Sequence, residues 1–144
     1  MSRIRRLLGI VRKEANCRYV EVGEYRYAVG MDYIIELARR YNEKHNTDEG
    51  IDVVLTKCFG NTKMTPEALE NMAMGIELSL NVYQRAAGRE EYPEGTFKRI
   101  VEEKGFGYIG KVVYAIASTL TVMLTAGAEA SAGEGEKEEK KSTQ

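Results

Sequence analysis

Tryptophan is absent from these 144 residues, histidine occurs once, at His45, and cysteine twice, at Cys17 and Cys58. Each scarcity closes off chemistry. A histidine-built metal site or a Ser-His-Asp triad would have to be served by His45 alone. Two isolated cysteines without a CxxC motif exclude a disulfide framework. They fit small buried hydrophobes or a reducing compartment, with a mutual disulfide as the alternative. Charge of one sign is also missing: 21 basic residues stand against 22 acidic ones, net −1, so the chain as a whole is neither a basic nor an acidic protein. The run NTDEG at Asn46–Gly50 has too few patterned acids for a calcium loop, and FGYIG at Phe106–Gly110 is not GxGxxG. No acid–base or metal constellation stands out, so we expect no enzyme, no cofactor and no metal site.

The charge that is present is unevenly placed. Over residues 1–18, Arg3, Arg5, Arg6, Arg12, Lys13 and Arg18 stand against Glu14 alone, a net +5. Residues 129–144 hold five Glu and three Lys, a net −2. A basic arm on a near-neutral body is a pattern of nucleic-acid binding. Two other readings share it. Ile4, Leu7, Leu8 and Val11 sit at i, i+3, i+4, i+7, as on a solvated amphipathic helix, and the same mix of Arg and Leu suits a membrane surface. Met1–Lys13 lacks a secretory pattern, because its apolar run is broken by Arg12 and Lys13 and no small-residue cleavage site follows.

Thr65–Gly88 is the clearest element. Thr65 suits an N-cap, Pro66 the first helical position, Glu67 the positive end of the dipole and Gly88 the stop. Leu69, Met72, Ala73, Ile76, Leu80, Tyr83 and Ala87 form one apolar face. Gly75 interrupts a helix at a cost of about 0.5–1 kcal/mol relative to Ala, so we expect a close helix contact there.

Around this helix the pattern is mostly helical. Residues 29–45 read as a helix with Ile34, Leu37, Ala38 and Tyr41 on one side. Arg39, Arg40 and Lys44 lie near its end, where the dipole favours cations, and His45 is expected to be exposed. Ile51–Phe59 reads as a short helix, although IDVVL also suits a strand. Thr96 is expected to cap a short helix that stops at Gly105, with 106–110 as a Gly-spaced link. Val112–Ala128 carries no charge and lies at the short edge of a membrane span. A helix apolar all round is buried in protein or in lipid, and we expect 112–126 to be covered by neighbouring subunits. Residues 17–27 are ambiguous. Tyr19, Val20, Val22, Tyr25 and Tyr27 favour a strand and Gly23 weakens it. Tyrosines interleaved with Arg18 and Arg26 suit phosphates, but a structural segment with half-buried tyrosines ranks ahead.

The expected fold is therefore all-α without a substantial sheet: a basic N-terminal helical arm at 1–28, a compact helical bundle at 29–128 and a mobile charged tail at 129–144.

The segment Ala68–Ile76, ALENMAMGI, with Tyr83, Ala86-Ala87-Gly88, Tyr92-Pro93-Glu94 and Ile100-Val101, resembles the C-terminal core of the major capsid proteins of filamentous archaeal viruses, the rudivirus, lipothrixvirus and tristromavirus group. The acidic tail and the Tyr-rich segment near residue 20 depart from that pattern. The resemblance implies a virion structural protein, not an enzyme. Such proteins dimerise with themselves or with a paralogous capsid protein, contact further subunits in a helical filament, and wrap double-stranded DNA held in A form. Some members lie under a lipid envelope. Localisation would be the virion and, during assembly, the host cytoplasm. Carried onto this chain, the DNA-binding positions are Arg3, Arg5, Arg6, Arg12, Lys13 and Arg18 in the arm, with Arg26, Arg39 and Arg40 further along the inner surface. Packaging any sequence calls for phosphate contacts and not base readout. Competing classes are a small helical nucleic-acid-binding subunit of an RNA-guided nuclease complex and a membrane-associated helical protein.

Overall fold

In a computed structural model of the protein, the described residues are 17–143, with side chains described for 17–126. Two short strands and four helices follow one another in this range: β1 (Tyr19–Val22), β2 (Tyr25–Ala28), α1 (Met31–His45), α2 (Ile51–Phe59), α3 (Pro66–Ala86) and α4 (Thr96–Thr143). Among the described residues the protein is mainly helical, with one small two-stranded sheet.

The strands were not part of the expected all-α fold. They form an antiparallel hairpin in which Val22 pairs with Tyr25 and Tyr19 with Ala28. The two-residue loop has Gly23 at φ +66° and Glu24 at negative φ, the arrangement of a II′ hairpin, whose first central position calls for Gly. The glycine that weakened a continuous strand is thus the residue that turns it. Nor does the hairpin behave as part of an arm, because Tyr27, Ala28 and Val29 are fully buried.

The central helix α3 begins as the sequence dictates. Thr65 Oγ1 accepts from Ala68 N at 3.1 Å and Pro66 occupies the first turn. The helix ends at Ala86, and Gly88 follows at φ +72°. Its buried set is wider than one stripe and includes Ala68, Asn71, Met72, Gly75, Ile76, Leu78, Ser79, Leu80, Val82 and Tyr83. The other elements gather around it. Ser79 Oγ donates to Ala28 O of the hairpin at 2.7 Å. Tyr33 of α1 donates to Gly75 O at 2.7 Å. Phe59 of α2 packs against Gly75 so tightly that an added Cβ would lie 2.8 Å from its ring. Each buried hydrogen bond of this kind contributes about 1 kcal/mol.

The start of α4 differs from the sequence expectation. Thr96 Oγ1 does not accept from the helix but donates back to Pro93 O at 2.6 Å. The carboxylate of Glu77 on α3 takes the Phe97 N–H instead, at 2.8 Å, supplying from a distance what a local cap would have supplied. The preceding loop is tied down by Asn81, whose side-chain amide accepts from Tyr92 N at 2.6 Å and donates to Tyr92 O at 3.1 Å.

α4 is two helices in series, broken at Gly105 (φ 83°, ψ 170°). The stop at Gly105 is where the sequence put it, but 106–110 is helical and not a link. The hairpin holds both sides of the break. Lys104 Nζ pairs with Glu24 at 2.7 Å. Beyond the break, Tyr108 donates to Val22 O at 2.7 Å, which leaves its oxygen to accept from Tyr27 OH at 2.8 Å. Val112, Ile116 and Leu120 then bury one stripe of α4 against the bundle. The tail expected at 129–144 belongs to the C-terminal stretch of this helix, where side chains lie outside the described set, as does Gln144.

Both cysteines are free; Cys58 is buried and Cys17 half-buried. Burial pushes the Cys58 thiol up to about 12. His45 is not simply exposed. Its Nε2 lies 3.1 Å from Asn71 Oδ1 and its ring packs on Tyr41 with centroids 4.2 Å apart, so it satisfies a buried amide.

The contact at Gly75 leads to a direct expectation. Leu at this position has to displace Phe59 and disturb the α2–α3 contact, and overpacking of this sort costs about 1–3 kcal/mol. Chemical denaturation of Gly75→Leu should show a lowered midpoint at unchanged slope; a midpoint equal to or above that of the parent would mean that α2 does not need to approach so closely.

Candidate nucleic-acid interface

Of the nine basic residues that the sequence singles out, Arg3, Arg5, Arg6, Arg12 and Lys13 lie outside the described residues. The remaining four lie on three segments: Arg18 just before β1, Arg26 on β2, and Arg39 and Arg40 on α1, where Arg40 lines a different cleft, with Lys44, Glu70 and Glu94.

A cleft of about 470 Å³ runs between α1 and the last turns of α3, lined by Cys17, Asp32, Ile35, Glu36, Arg39, Val82, Arg85 and Ala86. A smaller one, of about 240 Å³, adjoins it and shares Cys17, Asp32 and Val82; its wall includes Arg18, Met31 and Met123. Arg18 and Arg39 are exposed and neither makes an ion pair among the described residues. Their guanidinium groups face solvent on the rim of these clefts.

The other two arginines are engaged. Arg40 donates to Glu36 Oε2 at 2.8 Å, the i, i+4 pair that the helical spacing allows. Glu36 is shared with a residue that sequence reasoning missed, Arg85 of α3, which reaches both carboxylate oxygens at 3.3 and 3.1 Å and also pairs with Glu91 at 3.1 Å. Partial burial raises the Glu36 pKa, but Arg85 and then Arg40 outweigh it and hold the carboxyl below its ordinary value. A depressed carboxyl stabilises the fold above the ordinary range and loses that contribution as the pH falls, so the cluster is intact at neutral pH. Arg39, Arg40 and Arg85 are balanced by Glu36, Glu91 and Asp32, so the cluster is not a positive patch in itself; Arg39 is its cation without an ion pair among the described residues. In sequence, Arg85 carries only the signal of a cation in a helix's last turn, which the dipole already accounts for.

Arg26 sits differently. On β2 it donates to Glu21 at 3.1 Å and to Tyr83 OH at 3.2 Å, with its guanidinium 5.9 Å from the centre of the Tyr83 ring. Tyr19 meets the same ring edge-on, centroids 5.0 Å apart. Arg26 therefore ties the hairpin to α3. Its side chain is committed to these contacts. Tyr25 and Tyr27 are buried, in line with the structural reading of this segment that ranked ahead of Tyr and Arg as phosphate donors.

Chemically, this surface can hold anions through exposed guanidinium groups, which match phosphate oxygens in a fork. No group of three or more His, Cys, Asp or Glu side chains among the described residues could hold a metal ion. Comparison with protein-family models, with curated proteins and with solved structures finds no match.

The two kinds of arginine should separate on mutation. Arg39→Ala should leave the unfolding midpoint in place and weaken duplex binding to the same degree for unrelated sequences, with the log–log salt slope flattened by about 0.9 for one lost phosphate contact. Arg26→Ala should lower stability by about 1 kcal/mol through loss of the Tyr83 and Glu21 bonds. Parallel melts and salt titrations of the two variants check this, and an unchanged slope for Arg39→Ala would remove that residue from the interface.

Proposed function

We propose that this protein is a structural coat protein that packages double-stranded DNA through phosphate contacts, without reading sequence. The observation that carries the proposal is the position of the exposed guanidinium groups of Arg18 and Arg39. They rim the clefts that contain Cys17, and the segment before Cys17 holds five more cations against one acid. Body and arm thus carry basic residues on either side of Cys17 in the chain, which suits contacts spread along a backbone; Arg can also reach guanine, but packaging does not require it. Arg is present throughout, and the amide pair that reads adenine would have to come from Asn16, the one amide side chain in the arm.

Assembly is the second half of the reading. One stripe of α4 is covered by the protein's own bundle, whereas Tyr114 is 74% exposed and Val122 61%. The sequence expectation that 112–126 is covered by neighbours therefore narrows to the outer face. Ala117 is not on it; that residue lines a cleft with Leu55 and Phe59 of α2. In a filament, adjacent subunits of the same chain or of a paralogue would cover Tyr114 and Val122. Family resemblance adds the A form of the DNA and the virion as location.

A membrane-associated protein is the second reading, and one observation favours it. Thr96–Ala126 is long and apolar enough to cross a membrane, and only 22% of its most apolar window is buried. The Val112–Ile116–Leu120 stripe, packed on the bundle, counts against insertion. Detergent-dependent purification would support it over the coat reading.

Affinity measured against salt for two unrelated duplexes tests the packaging. About five phosphates neutralised by the arm give a log–log slope of about −4 to −5, at roughly 0.9 per contact. Replacing Arg3, Arg5 and Arg6 together with Ala should flatten it by about 3 on the same rule, equally for both duplexes. A parent slope near zero, or a loss confined to one duplex, refutes the proposal. Electron microscopy tests the assembly: Val122→Arg should fold with an unchanged melt but form no filaments on DNA, since an unpaired buried charge costs several kcal/mol. Normal filaments from that variant would place the contact elsewhere.

A further inference from the structure

The two clefts at Cys17 have a feature that phosphate binding leaves unused. Their floor is apolar, formed by Val82 with Ala86 on one side and Met123 on the other. Two large hydrophobic residues of α1 stand open beside it, Met31 at 51% exposure and Ile35 at 44%. They are four residues apart, on one face of the helix. Each lines one of the two adjoining clefts, so together with the floor they make a groove whose apolar residues are flanked by Asp32, Glu36, Arg39 and Arg85. Elsewhere α1 buries its apolar side chains, Tyr33, Ile34, Leu37 and Tyr41 among them. The outward pair is the exception and has no work to do in the packing of the body.

We propose that this groove is the seat of the chain's own residues 1–16, whose stripe Ile4, Leu7, Leu8 and Val11 docks on Met31 and Ile35 when no nucleic acid is bound. Three observations select this occupant. The first is connectivity: residues 1–16 lie outside the described residues and join the body at Cys17, which is itself a lining residue of both clefts. Val11 is six residues from that joint, and a chain reaches at most about 3.6 Å per residue, so the stripe stays within range of the groove. A short tether of this kind corresponds to a local concentration of about millimolar, which a second copy does not match in dilute solution. The second is pattern. The arm offers apolar residues at i, i+3, i+4 and i+7, the spacing with which an amphipathic helix enters a hydrophobic groove. The third is charge. Asp32 stands in the wall of both clefts and makes no ion pair with the described residues, while Arg12 and Lys13 lie between the stripe and Cys17. Asp32 is their nearest counter-charge along this path.

Docking gives the arm two exclusive states. Seated, it covers Met31 and Ile35 and holds its apolar stripe away from water. Engaged on a duplex, it leaves the groove open for another surface. The docking does not depend on the coat reading; release by duplex does.

The test is tryptic cleavage after Arg12 and Lys13 in the full chain, followed by mass spectrometry at low protein concentration. A docked arm is cut slowly, and Met31→Glu with Ile35→Glu should raise the rate about tenfold without touching the arm. Both residues are exposed, so the fold is not at stake, and an unchanged melt verifies it. Equal rates in parent and variant overturn the proposal. Protection in the parent that strengthens with protein concentration overturns it as well, since the occupant is then a second copy. A second measurement separates docking from its release. Maleimide labelling of Ile35→Cys, read on its own peptide, should be slow in the free chain and about tenfold faster with excess double-stranded DNA. If cleavage shows docking but DNA leaves the labelling unchanged, the groove assignment stands and release by duplex fails.

Discussion

The close approach of α2 to α3 at Gly75 is the constraint on which the other contacts rest. With no Cβ at that position, the Phe59 ring and Cys58 lie directly on the α3 backbone. The same residue offers its carbonyl to Tyr33, so α1 and α2 are both positioned by one turn of α3. One turn further on, Ser79 holds the hairpin through Ala28 O. A side chain at 75 would push α2 outward and shift α1 with it, because packed interiors transmit displacement and do not absorb it. The pocket-lining residues of α1 and α3 at the candidate interface inherit their spacing from this turn.

The hairpin plays a corresponding part for α4. The ion pair of Lys104 with Glu24 and the relay from Tyr27 through Tyr108 to Val22 O fall on opposite sides of Gly105. A break in a long helix is commonly a point of freedom, but here the hairpin tip holds both flanking segments. The long apolar part of α4 is thereby aimed along the bundle. It buries the stripe at Val112, Ile116 and Leu120 and leaves Tyr114 and Val122 open. That division of one apolar helix into a covered and an open face underlies the assembly reading.

The arginines illustrate how tertiary contacts sort residues of one type. Arg26 and Arg40 are held by partners, and Arg18 and Arg39 face solvent, although all four look alike in sequence. Glu36 is the decisive neighbour: by binding Arg40 and Arg85 together it keeps two cations on one face, side by side with Arg39. Arg85 is in turn shared between Glu36 and Glu91, so the acids and cations here alternate in one chain of ion pairs. Glu91 and Asp32 balance the remaining cations of this cluster, so what sets Arg39 apart is its open side chain and not a net charge.

Local signals determined a good deal. Thr65, Pro66 and Gly88 mark the ends of α3, because caps and stops act within one turn. Gly75 signalled a close contact, since a glycine that weakens a helix is tolerated for steric room. Periodicity located α1, and the absence of charge after Lys111 located the apolar part of α4 without dividing its faces. Other features were invisible because the residues responsible are far apart in the chain. Gly23 reads as a break until strand pairing makes it a turn. Thr96 reads as a cap until Glu77, nineteen residues earlier, takes that place. His45 reads as exposed until α3 presents Asn71. The sharing of Glu36 by Arg40 and Arg85 spans 49 residues, and no spacing rule reaches that far. Sequence by itself determined the helices at 31–45, 51–59 and 66–86 and the uneven placing of charge along the chain, since propensity, caps and charge are local properties. Only the tertiary structure decided which tyrosines are buried, which arginines remain open and which apolar face is uncovered, because those depend on what the folded chain brings alongside.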